Sequence, residues 1–172
     1  VQIVISSGLM NSSQPDSIVP SQPAATAHFE LGQRGEQLAA AYLEQQGYAI
    51  IASNFTLPVG RNIRGVVVKA EIDLVAYEGP ILCFVEVKTR ASDWFAPPQT
   101  NVDLRKQRQI ARAARAYRRL LGLEGMSYRY DVVSIVLPAA GDNSTLPQIE
   151  ILRGFWTEEK LRKRRWSERY WD

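Results

Sequence analysis

This sequence contains only one cysteine and one histidine, and it has no long apolar run. Each of these features excludes a class of protein. Cys83 alone cannot form an internal disulfide, and His28 alone cannot build a His-rich metal site. A metal would therefore have to be held by oxygen atoms, which favours magnesium or manganese over zinc. No apolar stretch approaches the roughly 20 residues that a membrane-spanning helix needs. Residues 1–7 lack the basic flank of a signal peptide, so we expect a cytoplasmic protein with no membrane partner.

The overall composition is that of one ordinary globular domain, but the charge is unevenly distributed. The chain has 172 residues, 45% of them hydrophobic and 23% charged, with a net charge of +3. Between Asp103 and Gly122, seven basic residues accompany a single acid, and residues 153–172 carry seven basic residues and four acids. This local basic density suits a polyanion, and nucleic acid is the leading candidate. The alternative is a solvated helix face.

Three regions follow from the composition along the chain. Residues 1–27 are rich in Ser, Pro, Gln and Ala without periodicity, so we predict a disordered extension. Residues 28–154 carry the periodic segments and form the predicted domain. Residues 155–172 form a basic tail with interleaved aromatic side chains that either stack on bases or pack on the domain: Trp156, Trp166, Tyr170 and Trp171.

Periodicity and turn residues predict two helices and five strands. The first helix runs from about Phe29 to Gln46, with Gly47 as its C-cap. Strands are predicted at 48–54, 70–77, 81–89, 128–137 and 148–152, with a long hairpin loop at 56–69. The second helix is capped by Thr100, Asn101 or Asp103 and runs to about Leu121. The order αβββαββ predicts an α/β fold with a mixed central sheet flanked by helices.

The second helix has two distinct faces in this prediction. Its core stripe consists of Ile110, Ala114, Tyr117 and Leu121. The arginines recur at steps of three and four residues, so they share the other face: Arg105, Arg108, Arg112, Arg115 and Arg119. We predict nucleic-acid contacts from Arg105, Lys106, Arg108, Arg112 and Arg115, although a plain helix surface is an open alternative for Lys106.

The third predicted strand, Ile81–Thr89, carries charges where a core strand should be apolar. Side chains alternate between the two faces of a strand, so Glu86 and Lys88 share the face of Phe84. An unpaired buried charge costs several kcal/mol, on the order of the stability of a small domain. Glu86 and Lys88 therefore need a partner, a metal or a cleft.

The preceding strand shows the same anomaly at Glu71 and Asp73, which share one face while Ile72 and Leu74 share the other. The turn at 78–80 places Asp73 opposite or diagonal to the stretch from Phe84 to Glu86, depending on the register, and cross-strand neighbours lie about 4.5–8 Å apart at their Cβ atoms. Two carboxylates at that distance repel each other unless a divalent cation lies between them. We predict a metal site formed by Asp73, Glu86 and the main-chain carbonyl of Val87, with Lys88 activating a water for phosphodiester hydrolysis. The alternative is a salt-bridged strand pair in which Lys88 neutralises Glu86.

Several short motifs between Gly32 and about Val136 match those of a known protein family in their order and spacing. They are Gly35-Glu36, Gly47-Tyr48, Asn54-Phe55, Glu71-Ile72-Asp73-Leu74-Val75, Phe84-Val85-Glu86-Val87-Lys88-Thr89-Arg90, Lys106-Gln107-Arg108 and Arg129-Tyr130-Asp131-Val132-Val133. Together they resemble the YraN family, an uncharacterised group of predicted endonucleases. That family is similar to archaeal Holliday-junction resolvases and belongs to the PD-(D/E)xK superfamily.

The resemblance implies a restriction-endonuclease-like core with Glu36, Asp73, Glu86 and Lys88 at a catalytic centre. It also implies a magnesium or manganese ion and a DNA substrate, with branched DNA and cutting by a homodimer among the features that the resemblance suggests. Two departures are Ala70, where the family usually has glycine, and a longer segment at 56–69. The expected function is a metal-dependent DNA endonuclease. The alternatives are a non-cleaving nucleic-acid-binding module of the same fold and an interaction domain for an acidic partner.

Overall fold

The computed structural model describes residues 23–91, 102–138 and 144–161. Two helices and five strands follow one another as α1 (Pro23–Gln45), β1 (Tyr48–Arg61), β2 (Val67–Glu78), β3 (Ile81–Ala91), α2 (Leu104–Leu120), β4 (Tyr128–Leu137) and β5 (Gln148–Trp156). This is the predicted order. Within those residue ranges, no helix is both long enough and apolar enough to cross a membrane.

The five strands form one mixed sheet in the order β1-β2-β3-β4-β5, in which only β3 and β4 are parallel. A parallel pair needs a crossover, and α2 provides it. One core cluster joins α2, through Ile110 and Tyr117, to sheet residues that include Phe84. A second cluster joins α1, through Ala39 and Leu43, to the opposite face of the sheet. The predicted mixed sheet with flanking helices is therefore confirmed.

Helix α1 begins earlier than predicted. It starts at Pro23 instead of Phe29, so residues 23–27, which we assigned to a disordered extension, are helical. Proline suits the first position of a helix because it needs no amide hydrogen there, and the alanines that follow favour helix. The end of the helix agrees with the prediction, since Gly47 has a φ of 87° and its N–H donates to the Glu44 carbonyl. Residues 1–22 lie outside the described part of the chain.

The predicted loop at 56–69 is wrong. β1 continues to Arg61 and β2 starts at Val67, so only residues 62–66 form the turn. Pro58 and Gly60 suggested a loop, but β1 is an edge strand, where proline costs no ladder hydrogen bond. The register of the pair shifts between Pro58 and Gly60, so the glycine lies at an irregularity of the strand and does not end it.

Strand β5 is longer than predicted, and the tail starts later. β5 ends at Trp156, beyond Leu152, and the buried Trp156 ring stacks on Tyr130 with 4.9 Å between centroids. For Trp156, packing on the domain is therefore the correct alternative. Glu158, just after the strand, accepts hydrogen bonds from the hydroxyls of Tyr128 and Tyr130. The other tail aromatics, Trp166, Tyr170 and Trp171, lie outside the described residues.

Candidate active site

Strands β2 and β3 separate at the two acids that the sequence singled out. Their pairing runs from Glu78↔Ile81 to Leu74↔Val85 and goes no further. Beyond that point β2 stays paired with β1, and β3 stays paired with β4. Asp73 and Glu86 are the first residues past the last pair, so they flank a cleft between two diverging strands. We call this place the fork.

The side-chain alternation of β2 reverses at the fork, contrary to the prediction. Ile72 and Leu74 were expected on one face, but Ile72 packs in the α2-side core and Leu74 packs in the α1-side core. In β1, Asn54 lies between the partners of these two residues and has a positive φ of 52°. Asparagine is among the few residues that tolerate this conformation, which alters the direction of the strand pair. Asp73 is therefore located at a local irregularity of the sheet.

The carboxylate of Asp73 accepts a backbone N–H that has no backbone acceptor on the neighbouring strand β2. Its carboxylate is buried, with 8% of the residue exposed, and its Oδ2 accepts the main-chain N–H of Val87 at 2.8 Å. A buried N–H at the end of a strand pairing needs an acceptor, and the carboxylate provides it. The prediction gave Val87 a role through its carbonyl, whereas the observed contact with Asp73 is made by its amide.

Glu86 is almost completely buried, at 1% exposure, and its two oxygens have different surroundings. Oε1 lies 2.8 Å from the Nζ of Lys88. Oε2 is buried without a hydrogen bond of good geometry, and its near neighbour is the ammonium of Lys106 at 3.1 Å. The contact between Lys88 and Glu86 is compatible with both the catalytic interpretation and the salt-bridge alternative.

Lys106, which the sequence suggested as a phosphate contact, enters the fork from α2, and its contact with both acids was not predicted. Its Nζ lies 3.1 Å from Oε2 of Glu86 and 3.8 Å from Oδ1 of Asp73, so one ammonium contacts both acids. Asp103 caps the helix by accepting the N–H of Lys106 at 2.7 Å, which confirms one of the three predicted caps. Side chains of a first helical turn lean towards the N-terminus. This rule predicts that the Lys106 side chain points towards the start of the helix. The sequence does not show that this end of the helix lies over the fork.

The electrostatics of the fork favour a bound cation. Burial raises the pKa of Asp73, and the charge of Glu86 raises it further; the nearby Lys106 and the Val87 amide lower it, which leaves a pKa of about 7. Burial by itself would lower the pKa of Lys106, but the charges of Asp73 and Glu86 outweigh burial, so its pKa is raised. The carboxylate pair therefore stabilises positive charge placed between its members.

Glu36 lies on the α1 side of the fork. Its charge contributes to the raised pKa of Asp73, and it lines an open cavity of about 180 Å³ together with Ser53 and Asn54. Its position depends on Gly35, because a Cβ there would lie 1.7 Å from Oγ1 of Thr89 in β3. Across the described ranges, no three acidic, histidine or cysteine side chains are arranged to hold a metal ion together. Glu36 is therefore near the pair of acids without completing a three-carboxylate site.

The basic face of α2 agrees with the prediction in most respects. Ile110, Ala114 and Tyr117 are buried, and all five arginines of the predicted stripe are exposed: Arg105, Arg108, Arg112, Arg115 and Arg119. Arg115 also forms an ion pair with Glu158 at 3.6 Å. Leu121 was assigned to the core but is 52% exposed, because the helix ends at Leu120 and Leu121 is its C-cap.

The polar residues at the other end of the sheet are structural. Buried Asp131 accepts from Nε of Arg129 at 2.9 Å and from the amide of Gly154 at 2.8 Å, so both of its neighbours are held by hydrogen bonds. Arg129 also pairs with Glu78 at 2.5 Å and donates to the hydroxyl of Tyr48. Cys83 is buried, and burial raises the pKa of its thiol to about 12, so it packs as a small hydrophobic residue.

Comparisons with known proteins place these residues in a wider group. Residues 35–135, which include the fork, match the family described as "Uncharacterised protein family UPF0102". A protein of Solibacter usitatus named "UPF0102 protein" is 42% identical over 123 residues, covering 72% of this chain and 83% of that protein. Similar proteins of that family name occur in Koribacter versatilis (36% over 138 residues, 80% and 86% covered) and Chlorobium chlorochromatii (39% over 132 residues, 76% and 94% covered).

Proposed function

Because the chain belongs to the uncharacterised protein family UPF0102, the YraN family that its motifs indicated, its activity has to be inferred from its own site, and we propose that it is a metal-dependent DNA endonuclease. The family name assigns no reaction. The proposal therefore depends on the chemistry of Asp73, Glu86, Lys88 and Lys106.

The observation that carries the proposal is the pair of buried acids held around one cation at the fork. Removing a carboxylate from water costs several kcal/mol, and two adjacent carboxylates repel each other. The chain nevertheless buries Asp73 and Glu86 side by side, with an oxygen of Glu86 lacking any hydrogen bond of good geometry. A purely structural pair would be better stabilised by full hydrogen bonding. The arrangement favours a site that accepts a cation.

The donor set fits magnesium or manganese. Such ions are commonly bound by one or two carboxylates together with waters and substrate phosphates, so two acids are sufficient. Asp73 and Glu86 would hold the ion through their carboxylate oxygens. The ammonium of Lys106 already lies against both acids, which indicates that positive charge is favoured there.

The residues of the fork can divide the work of phosphodiester hydrolysis. A bound divalent ion would supply Lewis-acid polarisation of the scissile phosphate. The Val87 amide fixes Oδ2 of Asp73. Lys88, one-third exposed and held by Oε1 of Glu86, can donate a hydrogen bond to the attacking water or to a phosphate oxygen. Lys106 neutralises the acids, and its ammonium can turn towards phosphate when another cation neutralises them.

DNA is the proposed substrate because the fork adjoins the exposed arginine stripe of α2. Lys106 belongs to the first turn of the helix whose outer face carries Arg105, Arg108 and Arg112. A phosphate chain lying along these arginines would pass close to the site. A restriction-endonuclease-like core, branched DNA and action as a homodimer complete the proposal, and these three elements depend on the family resemblance.

A non-cleaving nucleic-acid-binding module is the second candidate, and one observation favours it. The contact of Lys106 with both acids would suit a protein that keeps the pair permanently neutralised by its own side chain. In that case the arginine stripe binds DNA and no bond is broken. An interaction domain for an acidic partner would use the same stripe without the fork.

The test is incubation of the purified protein with magnesium or manganese and with linear, single-stranded and four-way-junction DNA. The expected result is metal-dependent cutting that Glu86→Gln abolishes while the variant remains folded and still binds DNA. Binding without cutting in either metal would favour the non-cleaving module. Cutting that persists in Glu86→Gln would place the chemistry elsewhere on the protein.

A further inference from the structure

The outer half of the β1–β2 hairpin projects beyond the sheet. β2 loses its pairing with β3 after Leu74, whereas β1 and β2 remain paired as far as Arg61↔Val67. The base of this extension is anchored, because Leu57 and Ala70 are buried in the α2-side core. Residues 58–69, which we call the arm, extend past this anchor as a two-stranded ribbon.

The tip of the arm is a hydrogen-bonded turn that leaves an apolar side chain exposed to solvent. Oδ1 of Asn62 accepts the amides of Arg64 at 2.9 Å and Val66 at 3.0 Å, and Arg61 donates to the Gly65 carbonyl at 2.7 Å. Gly65 has a φ of 75°, a conformation that few other residues adopt. Ile63 projects from this turn with 103% exposure.

The arm is also basic. It carries Arg61, Arg64 and Lys69, and no acidic residue occurs between Asn54 and Ala70. Val66 and Val67 are exposed as well, so apolar and cationic side chains alternate around the tip. An isolated two-stranded hairpin with exposed apolar residues gains little stability of its own. Its charge is complementary to a polyanion.

The arm has a definite spatial relation to the fork. β2 leads from the tip directly to Asp73, and the six steps along the strand from Val67 to Asp73 span roughly 20 Å at about 3.3 Å per residue. A turn of duplex DNA is about 34 Å long. One duplex can therefore contact the tip and the fork at places about half a turn apart.

We propose that the arm binds duplex DNA next to the site of cutting, with Arg61 and Arg64 against phosphates and Ile63 in the minor groove as a wedge at a base step. This inference rests on the proposed DNA substrate, and it adds which part of the duplex the protein contacts, namely the minor groove and its flanking phosphates. Apolar side chains that enter the minor groove unstack a step and bend the duplex, and flanking cations hold the phosphates. Selectivity would then fall on steps and branch points that unstack easily.

The experiment measures binding in calcium, so that its result does not depend on cleavage. Duplexes and four-way junctions carry the fluorescent base analogue 2-aminopurine at successive steps, and its emission rises when a step is unstacked. The wild type should increase the emission at one step, and Ile63→Ser should remove that increase. Arg64→Ala should reduce the slope of log affinity against log salt by about 0.9, the value for one phosphate contact.

Matched controls come from exposed residues away from the arm. Leu146→Ser removes another exposed aliphatic side chain, and Arg34→Ala removes an exposed arginine of α1; both should behave as the wild type. If Ile63→Ser keeps the emission increase, the wedge is wrong even where cutting is found. If Ile63→Ser instead converts a dimer to a monomer in light scattering without affecting DNA, the arm is a self-association surface. If the protein binds no DNA, both the arm proposal and the nuclease proposal fail.

Discussion

The amide of Val87 donates to Oδ2 of Asp73 at 2.8 Å, at the position where β2 and β3 stop pairing. Val87 lies between Glu86 and Lys88 in β3, so this bond fixes the acid of one strand against both charged residues of the next. If the Val87 amide donated to a backbone carbonyl of β2 instead, the two strands would continue to pair as in a regular sheet. The carboxylate in its place keeps the fork open and brings negative charge into it.

Asp73→Asn should stabilise the protein above neutral pH in the absence of divalent ions. Burial and Glu86 raise the pKa of Asp73 from 3.8 to about 7 in the folded state. The folded protein therefore binds the proton more tightly than the unfolded chain does, and wild-type stability falls as the pH rises from about 4 to about 7. Asparagine does not ionise, so the variant does not lose stability in this pH range, and its side-chain oxygen can still accept the hydrogen bond from the Val87 amide. The expected gain at pH 8 is on the order of 2–4 kcal/mol.

Chemical unfolding of both proteins at pH 4 and pH 8, in EDTA, measures this effect. The difference in the free energy of unfolding between variant and wild type should be larger at pH 8. Magnesium at pH 8 should then stabilise the wild type and leave Asp73→Asn almost unchanged. A difference that is the same at both pH values would mean that Asp73 titrates normally.

Lys106→Met should destabilise the metal-free protein and tighten manganese binding. Methionine keeps an unbranched side chain as far as the Cε position but removes the ammonium that contacts both acids. The loss should be about 1–3 kcal/mol at pH 8, below that for a fully buried pair because Lys106 is one-third exposed. Manganese should bind several-fold more tightly, since it no longer competes with a cation already present.

Calorimetry and thermal unfolding without DNA report both effects. Arg105→Met, a neighbouring change on the exposed face of the same helix turn, is the control and should alter neither quantity. Unchanged stability together with unchanged manganese affinity in Lys106→Met would show that the ammonium does not neutralise the acids in solution.

Lys88→Ala should remove nearly all cutting but leave DNA affinity almost unchanged. Lys88 is placed by Glu86 at 2.8 Å, and its loss removes a group that acts on the reacting phosphate or water. We expect a decrease in the cleavage rate of about 10²–10³, typical of losing one such donor. Affinity measured in calcium should barely change, because one lysine among many phosphate contacts contributes little. Cutting near the wild-type rate would make Lys88 only the structural partner of Glu86.

Much of this site could be predicted from residue types, but its geometry could not. Glu86 and Lys88 were informative because charges in an otherwise apolar strand require compensation. Asp73 could be added to the site because the short turn at 78–80 places its strand beside the strand of Glu86 and Lys88. Lys106 was assigned to the DNA face because helical periodicity gives the relative directions of side chains and not the placement of the helix over the sheet. Its contact with both acids depends on that tertiary placement.

The main errors in the fold arose where local signals were overridden by their surroundings. Pro58 and Gly60 are turn residues by composition, yet they belong to a strand because β1 is at the sheet edge and tolerates an irregularity. Regular alternation failed between Ile72 and Leu74 because Asn54 on the neighbouring strand has a positive φ. Nothing in the sequence of β2 itself signals a distortion that originates in its partner.

Gly35→Ala should move α1 away from β3 and disturb Glu36. The new Cβ would lie 1.7 Å from Oγ1 of Thr89, a distance that no packing can accept without a backbone shift. Overpacking of this kind costs about 1–3 kcal/mol. Thr89→Ala removes the hydroxyl and the methyl that the new Cβ would meet, so the double variant should recover part of the loss. Thermal unfolding of the four proteins measures this coupling, and strictly additive effects would contradict the close approach of α1 to β3.

Replacing Arg108 and Arg112 by alanine should weaken DNA binding equally for all sequences. Both are exposed on the outer face of α2, and neither forms an ion pair with another described residue, so both are available for phosphates. Arg115 is less suitable because it already pairs with Glu158. Two lost phosphate contacts should flatten the slope of log affinity against log salt by roughly 2.

The control for this measurement is Arg164→Ala with Arg165→Ala, a basic pair in the tail outside the described residues. Both double variants remove the same charge from the protein, so a non-specific effect of net charge would change their slopes equally. A local effect of the stripe would change the slope only for the pair in α2. If the tail pair flattens the slope and the α2 pair does not, the stripe is only a solvated face and the DNA path runs elsewhere on the protein.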